Sequence, residues 1–486
     1  MIGITSYGVY VPPTRLSLAA IGGRPPKAAE SGPEKAVAWN DEDSVTMGVS
    51  AAVNCLRGFD RASVDGLLFA STTYAFKEKQ AAALIARALD LRRDLRTADY
   101  SGSLRAGITA LRGAVDAVAA GSAHCVLVIA SDSRMGAPGS ALEMSVGDGA
   151  VAFLVCDRDV IASVEESYAV ADEIVDLWRS EGDPFVHSWE NRFVVQEGYT
   201  PSITEAVRGL LEKSGAAASD FQRVALYAPD ARSHATAARA LQLDKDQLQA
   251  PFFGQLGNTG VAFAPMLLAA ALETARPGDK LLVAAYGDGA EAISIEVSDP
   301  IEKLDPRRGL SWHLARRRPV ASYDKYLKAR SLNPLEWTKG DDPGLSATIH
   351  FRERDEDLSF KGQQCRKCKA LQFPCQRVCE TCFALDDFNS VRFSDRIGKV
   401  VTYTFDFFFP TPDPPTIVTV TEIDGARIHL QLVNCKPEDT AIDMPVEFVF
   451  RRIHQGGGRP NYYWKCTPVA DGQQGEPDEE DEELES

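Results

Sequence analysis

The sequence lacks the features that would place the protein in a membrane or in a secretory pathway. No stretch reaches 18 consecutive apolar residues, since the richest run, GVAFAPMLLAAALETA, meets Glu273 and is typical of a buried helix. A charged leader with an apolar core is also missing, because MIGITSYGVYVPP predicts a strand that ends at a proline turn. We therefore expect no membrane span and a cytoplasmic protein whose ten cysteines lie in a reducing compartment.

The sequence also lacks an excess of basic residues. Its formal net charge is −17 at pH 7, which argues against general binding to nucleic acid or another polyanion. Nine acidic residues and no basic ones lie in the final run, DGQQGEPDEEDEELES. Because such a composition cannot bury apolar surface, we expect residues 470–486 to form a disordered, solvated acidic tail.

The chain is too long for one hydrophobic core, and its 486 residues predict two or three domains. Between residues 1 and about 300, apolar strand-like runs alternate with helices rich in Ala and Leu, which is the pattern of a layered α/β fold. The tetrapeptide GDGA occurs at 147–150 and again at 287–290, each time between two apolar strands. An offset of 140 residues predicts two duplicated halves, about 1–160 and 161–300.

The character of the chain changes after residue 300. Residues 301–354 are charged and interrupted by Pro and Gly, which predicts a connecting segment with short helices. A basic cluster in this segment either meets a nucleotide phosphate or forms a solvated interdomain face. The cluster consists of Arg307, Arg308, Arg316, Arg317 and Arg318. Residues 391–469 contain four or five β-rich runs between turns, which predicts a small β-barrel.

A four-cysteine motif lies between these two regions. Cys365, Cys368, Cys379 and Cys382 have the spacing C-x2-C-x10-C-x2-C, in which each pair presents two thiolates to a single tetrahedral Zn²⁺. Four thiolates leave no open position for water, so the predicted zinc is structural and not catalytic. We expect a zinc ribbon over residues 355–390, with Cys375 as a spare thiol.

The C-terminal region, about residues 355–468, resembles the zinc-ribbon and OB-fold proteins, once called a domain of unknown function, that accompany thiolase-superfamily enzymes. The resemblance rests on FPCQRVCETC, the β-rich runs and RRIHQGGGRPNYYWK. An OB-fold often binds oligonucleotides, and Tyr462, Tyr463 and Trp464 are candidates for stacking on bases. The acidic chain and the absence of a basic stripe argue against that role, so we prefer the acyl-CoA or partner docking that the resemblance implies.

Residues 1 to about 300 resemble bacterial hydroxymethylglutaryl-CoA synthases and, more distantly, ketoacyl synthase III, both members of the thiolase superfamily. The matching motifs, in order, are SDS at 131–133, EMSVGDGAVAFLV at 143–155, DPFVHSWENRFVVQEGYT at 183–200 and GNTG at 257–260. The resemblance implies a duplicated five-layer αβαβα domain, a homodimer and a coenzyme A thioester as substrate. The predicted fold class is therefore α/β, with this domain followed by the zinc ribbon and the barrel.

The catalytic residues that this family carries are replaced here. The motif ADYSGSLRAGITAL at 98–111 aligns so that the cysteine nucleophile falls on Leu104, and a slip of one residue would place Ser103 or Arg105 there instead. The general acid/base glutamate falls on Thr72 and the catalytic histidine on Tyr227. Because leucine cannot attack a thioester, covalent acyl transfer through residue 104 is excluded.

Several residues remain as candidates for chemistry in this region. Asn258, in GQLGNTG, is expected to hold a thioester carbonyl or water, and backbone amides supply donors for an oxyanion. Tyr227 and Tyr100 are candidate general acid/bases if the site lowers the pKa of a phenol, although both also suit ordinary packing. Arg232, in LYAPDAR, is the candidate for binding coenzyme A. His187 and His234 stay in reserve, since single histidines are more often structural.

Two functions fit these residues. The first is an enzyme that makes or breaks a carbon–carbon bond beside an acyl-CoA thioester by aldol or retro-aldol chemistry, which needs enolate stabilisation but no acyl-cysteine. The alternative is a non-catalytic acyl-CoA-binding or scaffold subunit that serves a thiolase or another acyl-CoA enzyme. The retained Asn258 favours the enzyme, whereas the lost nucleophile, acid/base and histidine favour the scaffold.

Overall fold

The computed structural model describes residues 1–21, 32–332, 346–409 and 411–470. It divides into two compact units, of which the first comprises residues 1–344 with 452–461 and the second comprises residues 345–451 with 462–486. The predicted acidic tail falls on residues 471–486, outside the described residues. None of the helices in the described ranges combines the length and apolar character needed to cross a bilayer.

Among the residues that the structure describes, fourteen strands lie wholly in the first unit. They are β1 Gly3–Tyr10, β2 Thr14–Ser17, β3 Glu34–Ala36, β4 Gly66–Ala70, β5 Arg96–Tyr100, β6 Cys125–Ser133, β7 Asp148–Cys156, β8 Ala162–Ala171, β9 Leu177–Trp178, β10 His187–Ser188, β11 Arg223–Leu226, β12 Lys280–Tyr286, β13 Gly289–Val297 and β14 Arg318–Pro319.

Eleven α-helices belong to the same unit within the described ranges. They are α1 Leu18–Ile21, α2 Ser44–Cys55, α3 Ala81–Ala88, α4 Ala106–Ala119, α5 Ala141–Ser145, α6 Asn191–Phe193, α7 Thr200–Ser214, α8 Ala231–Ala240, α9 Phe263–Leu272, α10 Leu310–Ala315 and α11 Tyr323–Ala329. A π-helical turn, Val194–Tyr199, leads from α6 into α7.

A nine-stranded sheet carries the duplication that the GDGA repeat predicts. Its order is β11-β12-β13-β8-β1-β7-β6-β4-β5. In one half β4 pairs with β6 in parallel, β6 pairs with β7 antiparallel, and β7 pairs with β1 antiparallel. The other half repeats this pattern: β11 pairs with β12 in parallel, and the pairs β12–β13 and β13–β8 are antiparallel. The two copies of GDGA lead into β7 and β13, which are equivalent strands of the two halves.

The halves share a central helical layer. Helix α9, FAPMLLAAAL, is apolar on nearly every side, so it must be buried all round, and it packs against α4 as well as against β11 and β12. Helix α4 lies against β4, β6 and β7, while α2 and α7 cover strands of the first and second halves. These contacts place α4 against strands of the first half and α9 against strands of both halves. The two halves are joined into one sheet by β1 and β8, at Gly3–Ser163 and Ile4–Ala162.

Residues 301–332 are part of the α/β unit, which corrects the expectation of a connecting segment there. Strand β14 pairs with β2, and Tyr326 of α11 is buried in a small core with Leu16 and Val37. The predicted basic cluster is engaged in the same packing: Arg308 and Arg316 stack on the Trp312 ring, with guanidinium carbons 4.7 and 4.3 Å from its centroid. This packing was not predicted from the sequence, because the short helices of this segment are rich in charged residues and contribute only a few apolar side chains, such as Tyr326, to the core.

The second unit contains helix α12 Ala347–Asp357, a three-stranded sheet and, apart from residues 452–461 of its last two strands, a closed five-stranded barrel. The sheet has the order β16-β15-β17 and the barrel the order β18-β19-β20-β22-β21. Their bounds are β15 Lys361–Cys365, β16 Leu371–Gln372, β17 Phe388–Arg392, β18 Gly398–Asp406, β19 Thr416–Ile423, β20 Ala426–Leu432, β21 Pro445–Gly456 and β22 Arg459–Pro468.

The barrel follows from the sequence pattern. Side chains of β19 and β20 alternate between buried and more exposed positions, as expected for strands with one face towards a closed core. Tyr462 and Trp464 are buried, and the Trp464 indole donates a 2.8 Å hydrogen bond to the Leu358 carbonyl. These two rings therefore belong to the core of the second unit and are not available for stacking on bases.

Two cysteines outside the zinc motif form a disulfide. Cys125 and Cys156 lie opposite one another on the antiparallel strands β6 and β7 and are bonded. This disulfide was not predicted, because the sequence led us to expect all ten cysteines in a reducing compartment.

Replacing Arg330 with methionine should destabilise the first unit by about 3–5 kcal/mol, because Asp148 would keep a buried charge without its partner. The Arg330 Nη1 to Asp148 Oδ2 distance is 2.7 Å and both side chains are nearly inaccessible to solvent. Urea unfolding of the full chain measures the change. The control is Lys328→Met, since the Lys328–Asp324 pair on α11 is exposed and should contribute less than about 1 kcal/mol. Equal effects of the two substitutions would contradict the anchoring role of Arg330.

Candidate active site

The turn that precedes α4 occupies the position predicted for a nucleophile. Leu104 is half-buried in this turn and packs against the core of the first unit. A β-carbon added to Gly287 would stand 2.8 Å from the Leu104 amide nitrogen, so only glycine fits opposite the turn. The Ser103 hydroxyl donates a 2.8 Å hydrogen bond to the Gly287 carbonyl, which occupies its proton and leaves it no role as an activated nucleophile.

Asn258 lies at the centre of a saturated hydrogen-bond network. Its Oδ1 accepts from Arg134 Nη2 at 2.7 Å and from the Gly260 amide at 3.0 Å. Its Nδ2 donates to Tyr227 Oη at 3.2 Å and to the Ala228 carbonyl at 3.3 Å. The expectation that this amide holds a thioester is therefore corrected, because both donors and both acceptor positions are occupied, and Asn258 instead positions Tyr227.

Tyr227 is held as a neutral phenol. Burial raises the pKa of Tyr227, and the Arg134 charge and the Asn258 hydrogen bond offset only part of that effect. This corrects the expectation of a phenol with a lowered pKa, since a protonated Tyr227 is a donor or general acid at neutral pH and not a base. Its oxygen accepts from Asn258, and no acceptor for its own hydrogen lies within hydrogen-bond distance among the described residues.

Thr72 belongs to the support of a buried carboxylate. Its amide and hydroxyl donate to Asp132 at 2.7 and 2.9 Å. Ser71, Thr73 and the Val261 amide donate to the same carboxylate at 3.0 to 3.1 Å. Five donors hold Asp132 in place, so the Thr72 hydroxyl fixes the geometry between β4, β6 and the loop after Asn258 and is not an acid/base.

The structure does not bring Tyr100 to this site. Its hydroxyl would lie 2.7 Å from a β-carbon on Gly113, which is two turns along α4, or about 10 Å, from the helix start. Tyr100 is partly buried against the core, so packing accounts for it. Arg232 is exposed in the first turn of α8, five residues after Tyr227, where it is open to a ligand phosphate.

The two reserve histidines lie in different environments. His187 Nε2 is 2.5 Å from Asp183 Oδ2 on a half-exposed surface. His234 is buried in α8, its Nε2 has no hydrogen-bond partner within the described part of the chain, and burial lowers the pKa of its ring. Neither is joined to the Asn258 network by a hydrogen bond in the described residues.

Sequence reasoning missed four residues of this network. Asp132 belongs to SDS at 131–133, a motif that was matched without assigning roles, Arg134 directly follows that motif, and Tyr286 immediately precedes the second GDGA. Tyr199 lies under Tyr227 and donates a 2.7 Å hydrogen bond to the Tyr227 carbonyl. The position of Tyr286 beside a repeated glycine turn was the available signal, but its partner Tyr227 is 59 positions earlier and only the fold brings them together.

The four paired cysteines form one compact cluster in the second unit. The Sγ atoms of Cys365 and Cys382 are 3.6 Å apart, those of Cys368 and Cys379 are 3.5 Å apart, and all four lie within 4.8 Å of one another. Four sulfurs about 2.3 Å from a tetrahedral centre would be about 3.8 Å apart, so this donor set fits a zinc ion.

Each cysteine pair is carried by the same type of turn. The Lys369 amide donates to the Cys365 carbonyl at 2.9 Å, and the Phe383 amide donates to the Cys379 carbonyl at 3.0 Å. Lys369 and Phe383 both have a positive φ, near 60°, which turns the chain back after each pair. The first loop therefore supplies the sulfurs of Cys365 and Cys368, the second supplies those of Cys379 and Cys382, and all four meet in one cluster.

The chain resembles known condensing enzymes. The family described as 3-oxoacyl-[acyl-carrier-protein] synthase III, C terminal, matches residues 211–297. The hydroxymethylglutaryl-CoA synthase of Methanothermobacter thermautotrophicus is 32% identical over 314 residues, which cover 62% of this chain and 90% of that protein. The hydroxymethylglutaryl-CoA synthase of Pyrococcus furiosus is 32% identical over 336 residues, which cover 68% of this chain and 96% of that protein.

Solved structures show the same fold. MvaS in complex with 3-hydroxy-3-methylglutaryl coenzyme A aligns with a TM-score of 0.60 at 21% identity, covering 71% of this chain and 95% of that chain. The 3-oxoacyl-[acyl-carrier-protein] synthase III of Aquifex aeolicus aligns with a TM-score of 0.55 at 21% identity, covering 61% of this chain and all of the other. The thiolase-like α/β fold predicted for the first unit is confirmed.

Full-length protein should contain about one zinc ion per chain, and Cys365→Ser and Cys379→Ser should each lose most of it, because three thiolates bind the ion far less tightly. Elemental analysis of the purified variants measures the metal content. Cys375→Ser is the matched control, since Cys375 lies outside the cluster and should leave the zinc in place. Undiminished zinc in both cluster variants would contradict the assignment.

Proposed function

Because this chain belongs to the hydroxymethylglutaryl-CoA synthase family, we propose that it makes or breaks a carbon–carbon bond beside the thioester of an acyl-CoA. The preferred reaction is an aldol or retro-aldol step without an acyl-enzyme. The observation that carries the proposal is the buried Arg134–Asn258–Tyr227 network, in which hydrogen bonds position a phenol whose pKa is raised by burial. The network supplies electrophilic assistance, whereas Leu104 has no lone pair with which to attack a thioester.

The required chemistry matches these groups. In either direction of an aldol reaction, negative charge develops on a carbonyl oxygen of the substrate, and a donor placed at that oxygen lowers the barrier. Tyr227 keeps its hydrogen at neutral pH because burial raises its pKa, and that hydrogen has no acceptor within the described residues. The Leu104 amide, at the start of the turn beside Gly287, is a second donor of the kind that binds oxyanions.

A coenzyme A thioester is the proposed substrate. Two structures of the same fold were solved with a coenzyme A compound bound, one described as MvaS with 3-hydroxy-3-methylglutaryl coenzyme A and the other as an HMG-CoA synthase with CoA. We assign the exposed Arg232, in the first turn of α8, to a phosphate of that ligand.

The second unit is proposed to be a zinc ribbon joined to an OB-fold, as the resemblance implies, with zinc held by the cysteine cluster. Zinc in such a site would contribute to the folding of the unit and take no part in the reaction. We propose acyl-CoA or partner docking as the role of the barrel. A cytoplasmic homodimer is proposed on the resemblance, and the edge position of β5 in the nine-stranded sheet leaves one side of that strand for pairing.

A non-catalytic acyl-CoA-binding or scaffold subunit is the second candidate. It is favoured by the replacement of the cysteine, glutamate and histidine positions by Leu104, Thr72 and Tyr227, of which Thr72 only supports Asp132. Turnover of an acyl-CoA by the purified chain without another protein would exclude the scaffold. A panel of acyl-CoAs, with and without aldehydes, followed by mass spectrometry of the products, tests this directly.

Tyr227→Phe should lower turnover by about 10²–10⁴, the usual contribution of a positioned general acid, while acyl-CoA binding changes little. The rate of the unmodified protein should not fall through neutral pH on account of Tyr227, because a phenol with a raised pKa stays protonated there. Tyr168→Phe, a substitution on the exposed side of β8, is the matched control and should retain full turnover. Equal turnover in both variants would rule out the role assigned to Tyr227.

Leu104→Cys should not create synthase activity, because Thr72 and Tyr227 leave the new thiol without a base to ionise it. Intact-mass spectrometry after incubation with acetyl-CoA measures acylation of the variant and of the natural sequence in parallel. We expect no stable adduct on the natural sequence. An acyl group mapped to residues 98–111 of the natural protein would overturn the non-covalent reaction.

A further inference from the structure

The connection between the first two strands of the barrel carries three consecutive exposed aromatic side chains. Phe407, Phe408 and Phe409 directly follow β18 and are 67%, 88% and 39% exposed. The other large apolar side chains that are exposed in the described part of the chain are not adjacent to one another in sequence. Exposed apolar side chains that are scattered singly are ordinary, whereas a cluster of them marks a surface that binds an apolar partner.

These three residues begin a loop that lies beyond the paired part of the barrel. Asp406 and Thr416 are the last paired residues of β18 and β19 at this end, so residues 407–415 connect the two strands outside the ladder. On β18 the rings of Tyr403 and Phe405 are in contact, with centroids 5.4 Å apart, and both side chains are half-buried. The exposure of the aromatic side chains therefore rises from the strand to Phe408, which leads the loop into its surroundings.

The backbone of the loop is suited to apolar surroundings. Asp406 Oδ1 accepts hydrogen bonds from the amides of Phe408 and Phe409, at 2.8 and 3.1 Å. Three prolines, at positions 412, 414 and 415, carry no N–H at all. An amide that leaves water without a partner costs free energy, so the internal hydrogen bonds and the prolines lower the cost of moving these rings out of water.

The charges around the loop indicate which apolar partner it fits. Asp406 and Asp413 flank the aromatic run, and no Lys or Arg occurs between residues 400 and 426. Anionic lipids are attracted by clusters of basic residues, so this loop is not suited to an anionic membrane. A phosphatidylcholine surface instead presents quaternary ammonium groups, which complement the two carboxylates and bind well to aromatic rings. A fluid bilayer also accepts three projecting rings without a pocket shaped to receive them.

We propose that Phe407, Phe408 and Phe409 insert between the headgroups of a zwitterionic lipid bilayer and attach the protein reversibly to a membrane surface. The rings lie at the boundary between headgroups and acyl chains, and the flanking carboxylates stay among the choline groups. Three side chains give a weak, reversible attachment and not a permanent one. The attachment goes beyond the proposed reaction and does not depend on it.

Flotation of the full-length protein with phosphatidylcholine vesicles on a density gradient measures the bound fraction at each lipid concentration. Phe408→Ser should raise the lipid concentration needed for half-binding by about tenfold or more, because the apolar ring no longer leaves water. Phe408→Leu keeps an apolar side chain and should retain most of the binding. The matched control is Ile442→Ser, which should bind as the natural protein does. Ile442 is 61% exposed and lies near the other end of β18, where the Asp443 amide donates to the Val400 carbonyl.

A fluorescence measurement tests whether the loop enters the bilayer. In Phe408→Trp, vesicles whose acyl chains carry bromine should quench the new indole, while the natural protein with its six tryptophans provides the background. Adding phosphatidylserine to the vesicles should weaken binding, because its negative charge meets Asp406 and Asp413. The substitutions at Phe408 should leave the melting temperature unchanged, since this side chain is 88% exposed.

Three results would overturn the attachment, and none of them bears on acyl-CoA turnover. The first is that the natural protein does not float with the vesicles, or that Phe408→Ser floats equally well. The second is tighter binding to vesicles that contain phosphatidylserine, which would show that a basic surface and not this loop meets the lipid. The third is a lower sedimentation coefficient of Phe408→Ser in the absence of lipid, which would show that the loop joins protein chains to one another.

Discussion

The guanidinium of Arg134 is buried, and its Nη2 donates to both oxygens of Asn258, the side-chain Oδ1 at 2.7 Å and the backbone carbonyl at 3.3 Å. That placement fixes the direction of the Asn258 side chain, because an amide whose oxygen faces Arg134 must present its nitrogen to Tyr227. Tyr227 in turn can no longer use its oxygen to accept from a ligand and is left with a hydrogen to donate. The chemistry available at the site therefore depends on one buried cation two residues beyond Asp132.

The replaced positions of the site agree with one another. In the proposed alignment, leucine at the turn removes the acyl-enzyme, threonine at the glutamate position removes the acid/base, and tyrosine at the histidine position exchanges a group that titrates near neutrality for one that does not. The turn itself is tightly packed, because Gly287 approaches the Leu104 amide closely and the Ser103 hydroxyl donates to the Gly287 carbonyl. A site that had only lost its function would have no reason to retain five hydrogen-bond donors to Asp132 and a full set of hydrogen bonds at the Asn258 side chain.

Sequence reasoning succeeded where the signal was local and periodic. The repeated GDGA marks equivalent strands, the alternating pattern of residues 391–469 marks a barrel, and the cysteine spacing brings four sulfurs together, all of which depend on short-range geometry. Sequence reasoning failed where the function of a residue depends on the direction in which its side chain points. Tyr100 was placed beside the nucleophile turn by its position in the chain, yet its ring points under α4 towards Gly113. The role of Asn258 depends on Arg134 and Tyr227, which are distant in sequence, so no local pattern could supply it.

The two units belong to a single polypeptide, so any binding of one unit to the other is intramolecular. Tethered partners meet at an effective concentration on the order of millimolar, set by the connecting chain and not by the amount of protein in the cell. The two units are therefore always present in a one-to-one ratio. Under that condition even a weak affinity of one unit for the other would be sufficient, and dilution of the protein would leave that association unaffected.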